Sequence, residues 1–413
     1  MDAFYYSRPL LAEYLVADLT GANPFSDAPN GLFLAAPRRT GKSTFLQNEL
    51  RPALERTSRV VVYVDLWSDK SRNPGALIAD AVGAELQKHL GIVAKTAKGA
   101  GVSELNLAGW MKIDTKKIGT IEGLTLTDAL RALCEMSRKP VVLMIDEAQH
   151  SLTSDEGETA MTALKSARDQ LNTPSETRLL LVMSGSDRDK LLRLVNNNAA
   201  PFFGSAITRM PELDRDFIVH IAGLIERSYP RMAPIDVDIL WDAFERLAHR
   251  PQPLLRLLGV VLNPLNSPAP GFEREVLLMA EAERADDERA MESAYLVLRP
   301  LEQAVLWRMF EQKNRFRPYD AEALTFYREK TGEKITAQKA QAAIASLRAQ
   351  SPSLVWKSAK GEYALDDTGM YQWFEKRIRD GAWPPAGPYL EEPNEANLQG
   401  EDDGNEESAP PRQ

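Results

Sequence analysis

A lysine, a hydroxyl and two carboxylates dominate the chemistry available to this sequence. Lys42 and Ser43 end the stretch Ala36-Pro37-Arg38-Arg39-Thr40-Gly41-Lys42-Ser43, and Asp146 and Glu147 end Val141-Val142-Leu143-Met144-Ile145-Asp146-Glu147. The first stretch fits a phosphate-binding loop, G-x-x-x-x-G-K-[ST]. In such loops backbone N–H groups surround the phosphates, the lysine reaches the β- and γ-phosphates, and the hydroxyl binds Mg²⁺. Thr44 continues into a helix whose N-terminus adds its positive dipole end. Ala36 stands where the first glycine is usual, a substitution tolerated if φ stays negative there. The second stretch reads as a buried strand that delivers two acids to the phosphate crevice at its C-terminal end. Asp146 is expected to orient Mg²⁺, and Glu147 to take a proton from, or polarise, an attacking water. ATP and Mg²⁺ are the cofactors this pattern calls for.

These residues need a scaffold, and the pattern around them supplies one. Apolar runs of strand length alternate with helical patterns from residue 31 to about 213, the signature of a parallel α/β layer. The predicted strands are Gly31–Ala36, Val60–Leu66, Val141–Ile145, Leu179–Met183 and Ala206–Met210, with helices around Lys42–Glu55, Pro74–Leu90, Thr127–Ser137 and Glu158–Leu171. The first four strands are nearly continuous Val, Leu, Ile and Phe, as expected where helices cover both faces. The division is an α/β nucleotide-binding core (1–213, with an inserted hairpin or loop at 95–123), a helical lid (214–262), and a linker with a long helix (263–298). Three helices, two short strands and a last helix at 299–383 have the outline of a winged helix, and residues 384–413 form a disordered acidic tail.

Composition narrows the classes. The 413 residues suffice for two or three domains. The N-terminus lacks a secretory pattern, and no apolar run approaches the roughly 18 residues needed to cross a bilayer. One cysteine, Cys134, excludes an intramolecular disulfide, and with four histidines it leaves little for a zinc site. A cytoplasmic protein with no membrane partner is expected. The net charge of −9 is uneven: Tyr389–Gln413 holds eight acids against Arg412, a net of −7, leaving about −2 elsewhere. From Arg299 to Asp380, 15 Lys and Arg outnumber 11 Asp and Glu, a net of +4.

With both motifs, the strand order and the C-terminal extension in view, the sequence resembles the AAA+ P-loop ATPases over roughly residues 5–380. The likeness is to the archaeal-ATPase-like and origin-initiator-like branches. The fold this implies is a P-loop NTPase parallel sheet with a helical lid, followed by a C-terminal winged-helix domain. The resemblance further implies a polar sensor at the end of the fourth strand, here Ser184 or Ser186. An arginine finger usually follows a glycine before the fifth strand, but Pro201-Phe202-Phe203-Gly204-Ser205 has serine there. Arg188, Arg193 and Arg209 are substitutes among which the sequence does not choose, and loss of the finger would slow hydrolysis. Arg250 and Arg256 stand where such lids carry an arginine against the γ-phosphate. Tyr5, Tyr6 and Arg8 precede the sheet, where related proteins frame the adenine.

In a winged helix the third helix reads the major groove and the wing follows the backbone. Gln338, Lys339, Gln341 and Arg348 on the third helix, and Lys357 and Lys360 on the wing beside Trp356 and Tyr363, are the candidate contacts to double-stranded DNA. Its alanines suit a packing face equally well, and many winged helices bind proteins. Two functions therefore stand. One is an ATP-dependent switch that self-assembles and engages DNA; the other is a STAND-like signalling or scaffold ATPase whose C-terminal domain holds a protein partner.

Overall fold

The computed structural model describes residues 5–69, 71–96, 124–186, 188–196, 200–266, 268–357, 362–367 and 369–385. The expected insertion beyond residue 96, the turn of the expected wing with Lys360, and the acidic tail from residue 386 lie outside them. Five parallel strands, β1 (Leu32–Ala35), β2 (Val60–Asp65), β3 (Val141–Asp146), β4 (Leu179–Gly185) and β5 (Ile207–Arg209), lie in the order β2-β3-β4-β1-β5.

Strand alternation explains why the apolar runs are continuous. Val60, Val62, Val64, Val141, Leu143 and Ile145 face one cluster, with helices Pro74–Thr96, Leu126–Ser137 and Asp155–Leu171. Val61, Val142, Met144, Leu180 and Val182 face the other, packed on helix Pro9–Leu19 and the helix after β1. Every residue of β3 and β4 is buried, as a sheet covered on both sides requires. Sequence reading assigns no element before residue 31, yet Pro9–Leu19 is helical. Pro9 opens it, and Ala12, Leu15, Val16 and Leu19 form its buried stripe.

The helix after β1 runs Lys42–Phe45, widens into a π turn at Leu46–Leu50, and resumes at Arg51–Arg56. Pro52 accounts for the bulge. It has no N–H for the Asn48 carbonyl, and its ring would crowd that group in a regular helix.

Beyond the sheet, helices Arg215–Ser228, Val237–Arg246, Pro251–Val261 and the long Glu273–Leu296 share a core around Phe217, Phe244, Leu258 and Val276. Helices Pro300–Gln312, Ala321–Thr331, Ala337–Ala349 and Gly369–Arg379 enclose another with β6 (Val355–Lys357) and β7 (Tyr363–Leu365). The last two strands pair antiparallel with Trp356 opposite Ala364. This hairpin is covered on both faces. Val355, Tyr363 and Leu365 belong to its own helical core, whereas Trp356 and Ala364 join the core of the parallel sheet. Trp356 and Tyr363, the expected flanks of Lys357 and Lys360, are 8% and 7% exposed, because the short strands have no solvent face at those positions.

Candidate nucleotide site

The sheet order decides which side chains can meet. β4 separates β3 from β1, so Lys42, in the helix after β1, reaches past the end of β4 to the end of β3. Its ammonium pairs with Asp146, lies 3.3 Å from Ser184 Oγ, and sits 3.0 Å from Glu147 Oε1. Ser43 Oγ donates to Asp146 Oδ2 at 2.5 Å, and Ser184 Oγ donates to Asp146 Oδ1. Residues 104 positions apart thus converge. Gly41 has φ +86°, a left-handed conformation that favours glycine, and nothing lies within 4 Å of where its Cβ would stand. Thr40 Oγ1 caps the Pro37 carbonyl at 2.7 Å, which tightens the loop. Arg39 also has positive φ, at 67°, and the Ala36 N–H reaches the Gly185 carbonyl at 3.1 Å. Ala36 is thereby tied into the sheet edge, where a Cβ is accommodated.

Asp146 has no exposed surface and Lys42 is 5% exposed. Burial alone would raise the Asp146 carboxyl, but the Lys42 ammonium and the hydroxyls of Ser184 and Ser43 outweigh it and hold the group below the usual carboxylate range. Glu147 behaves alike: burial opposes ionisation, and Lys42, Ser186 and Gln149 together bring its pKa down. Ser186 Oγ donates to Glu147 Oε2 at 2.8 Å and Gln149 Nε2 donates to the same oxygen at 2.5 Å. Glu147 itself takes a left-handed backbone, φ 54°, which turns the chain sharply after the strand. Both acids are therefore ionised near neutrality.

Sequence reasoning missed Tyr63, whose hydroxyl donates to Asp146 Oδ2 at 3.0 Å. It is the one aromatic in the run Val60-Val61-Val62-Tyr63-Val64, and that break in the valines was the available signal. Gln149, named only as a neighbour of the acids, is 1% exposed and lies against Gly185, where a Cβ would come within 2.6 Å of its Oε1. Glycine at 185 leaves the room this amide occupies. Arg38 approaches Ser186 Oγ at 3.5 Å and stacks over Trp67 at 5.2 Å.

Next to the loop opens a cleft of about 560 Å³, lined by Tyr5, Tyr6, Gly41, Thr44, Glu49 and Phe217 among others. Glu49, missed from sequence, is 6% exposed and accepts hydrogen bonds from Ser7 Oγ at 3.2 Å and from the Arg8 backbone N–H. It ties the N-terminal segment to the helix that follows the loop. Tyr6 in turn packs edge-on against Phe217 at 5.7 Å, so the segment bridges to the helical region.

The candidate arginines of the lid and of the later core take part in ion pairs. Arg250 pairs with Asp287 at 3.3 Å and Arg256 with Glu283 at 2.5 Å, both on the long helix. Arg209 pairs with Glu212, and Arg193 with Glu362 of the C-terminal hairpin at 2.7 Å. Gln338, Lys339, Gln341 and Arg348 are exposed on the Ala337–Ala349 helix, and Lys357 is half-buried.

A phosphate loop after β1, two acids after β3 and this parallel strand order define a P-loop ATPase. Residues 27–192 match the family model of the AAA domain, and the fold is that of an AAA+ P-loop protein. No curated protein matches it in sequence. Its structure is similar to that of the Aeropyrum pernix ORC2 protein in its ADP form, with 13% identity and a TM-score of 0.50 over 92% of this chain and 97% of that one. It is also similar to the Aeropyrum pernix ORC1 protein in complex with DNA, at 17% identity and TM-score 0.42, covering 92% and 96%. AMPPCP-bound DnaA from Aquifex aeolicus is a further neighbour, at 12% identity and TM-score 0.34, covering 92% and 96%. The first supports a shared fold; the other two are too distant to carry an argument.

His150 packs on Trp67 with ring centroids 4.0 Å apart, and burial pushes its pKa down from 6.5 to about 4. Unfolding restores the ordinary value, so between those limits the unfolded chain binds the proton that the folded chain refuses. Stability from this site is complete above pH 6.5 and is lost as pH falls toward about 4. His150→Asn, which titrates in neither state, is expected to flatten the fall in melting temperature across that window. An unchanged slope would mean that the imidazole is hydrated.

Proposed function

We propose that this ATPase is a switch that binds MgATP at Gly41, Lys42, Ser43 and Thr44 and hydrolyses it with Glu147 as the base. The observation that carries this reading is the convergence of Lys42, Ser43, Ser184 and Asp146 within hydrogen-bond reach of one another. Ser43 Oγ and Asp146 Oδ2 are hard oxygen donors side by side, a set that fits Mg²⁺, whose remaining positions suit water and phosphate oxygens. When bound, Mg²⁺ neutralises the β- and γ-phosphate oxygens. The protein's own work is positional. Lys42 presents its ammonium to the phosphates, Ser184 lies between lysine and aspartate, and Ser186 and Gln149 orient the Glu147 carboxylate that accepts the water's proton. The base would occupy the adjoining cleft beside Tyr5, Tyr6 and Phe217.

We further propose that residues 299–383 are a winged helix through which the nucleotide state is coupled to double-stranded DNA. The supporting observation is the division of its third helix. Ala340, Ala343, Ile344 and Leu347 are buried, while Gln338, Gln341 and Arg348 are exposed together away from them and Lys339 lies on the other flank, paired with Glu333. Such a face suits a groove and its phosphates.

Lys42→Ala is expected to weaken MgATP binding by roughly a hundredfold or more, since it removes a charge-assisted contact and leaves Asp146 buried without its cation. Titration with a fluorescent ATP analogue measures this, and an unchanged Kd would refute the assignment. Glu147→Gln should bind ATP normally and hydrolyse it about a hundredfold more slowly, in line with general-base contributions; full turnover would remove Glu147 as base. Gel shifts with duplex DNA at two salt concentrations, with and without ATP, should show ATP-dependent binding that weakens as salt rises. Arg348→Glu should abolish it. No shift at low salt would favour a signalling or scaffold ATPase with a protein partner.

A further inference from the structure

The C-terminal hairpin is fastened to the part of the core that carries the catalytic acids' partners. Two residues beyond Ser186 the helix Arg188–Leu192 begins, and Lys190 on it is only 2% exposed. Its ammonium pairs with Asp366, just after β7, at 3.3 Å and lies 5.7 Å from the Trp356 ring centroid. Arg193 pairs with Glu362 Oε2 at 2.7 Å, donates to the Tyr363 carbonyl at 2.7 Å, and lies 5.5 Å from the same indole. A buried tryptophan, two ion pairs and a backbone hydrogen bond therefore meet at one short segment. The other end of that segment is Ser186, which donates to Glu147 and accepts from Gln149 Nε2 at 3.3 Å. His150, in the same loop as Glu147, feels the charges of Glu147 and Lys190, and of Arg38 and Asp366. The phosphate loop, the base, the end of β4 and the hairpin are thus joined in one polar cluster.

Among the described residues the hairpin's ion pairs run to Lys190 and Arg193, on and just after the helix that follows β4, and none runs to the phosphate loop or the cleft lining. We propose that the C-terminal hairpin is a positioning element for ATP hydrolysis: docked on Lys190 and Arg193, it fixes the segment bearing Ser186 and so holds the Glu147 carboxylate in line. The proposal rests on the assignment of Glu147 as base. Freeing the hairpin lets Ser186 drift by a fraction of an ångström, which lowers the rate of the chemical step and leaves the phosphate contacts of Lys42 and Gly41 intact. Positional losses of this size matter in catalysis, where a misplacement of about 1 Å can cost roughly a hundredfold.

The test uses the full chain and three variants, Glu362→Arg, Arg193→Glu and the two combined. Single-turnover hydrolysis of MgATP gives the chemical rate, and titration with a fluorescent ATP analogue gives Kd. Each single variant should hydrolyse roughly tenfold more slowly with Kd within about twofold of the parent, and the combined swap should recover most of the rate. Glu362 is partly exposed, so its variant folds even if that at the more buried Arg193 does not. A parental rate in Glu362→Arg, a faster one, or a rate and affinity that fall together would overturn the proposal. Glu147→Gln is measured alongside. Full activity there would show that the base was misassigned, whereas an inactive Glu147→Gln beside a fully active Glu362→Arg would sink the hairpin's role alone.

Discussion

The constraint on which the rest depends is a buried ion pair. Lys42 and Asp146 are 5% and 0% exposed, and opposite charges taken so far from water are tolerated only when each is paired and hydrogen-bonded. Asp146 meets this condition with four side-chain donors, Lys42, Ser43, Ser184 and Tyr63, and with the Glu147 backbone N–H at 3.0 Å. Losing any one leaves charge or a lone pair uncompensated in a region of low polarity. The loop, the ends of β3 and β4, and Tyr63 of β2 are therefore held in a single arrangement. Such preorganisation is what electrostatic catalysis needs.

That arrangement explains the order of the strands around it. With β4 between β3 and β1, the residue at the end of β4 stands in the gap that Lys42 must cross. Ser184 suits that place because it is small and its hydroxyl can donate to Asp146 while facing Lys42. A larger residue would push the lysine away, and an alanine would remove one of the four side-chain donors. Ser186, two residues on, makes the same kind of contact to Glu147. The two serines thus serve one acid each, and glycine at 185 leaves space for Gln149 between them.

The sequence disclosed what local periodicity and motif chemistry can carry. Strands β1 to β4 were visible as apolar runs because both faces of the sheet are covered, and Lys42, Ser43, Asp146 and Glu147 were visible because their types and flanks restrict their use. Tyr63 and Glu49 were not, since their partners lie across the fold: Tyr63 bonds a residue 83 positions away and Glu49 one 41 positions away. Helix Pro9–Leu19 was readable in principle from its spacing. The arginines show a different limit. Arg250 and Arg256 have the type and position of phosphate ligands, yet the acids Asp287 and Glu283 of the long helix hold them. Which partner an arginine takes depends on tertiary distance, and residue type does not encode it.

The hairpin shows how a three-residue strand misleads. Alternation says that Val355 and Lys357 share one face and Trp356 the other, but it is silent about what covers the second face. A free wing would present that tryptophan to solvent, whereas here the indole is packed against the sheet's core beneath Lys190 and Arg193. On the proposed winged-helix reading this divides the domain's duties. The third helix keeps an exposed polar face while the hairpin is spent on the ATPase core, so a duplex would meet Gln338, Gln341 and Arg348 without the usual support from a wing. Fewer neutralised phosphates give a shallower salt dependence. A steep dependence would therefore require the hairpin to leave the core, and hydrolysis and DNA contact would then compete for the same two strands.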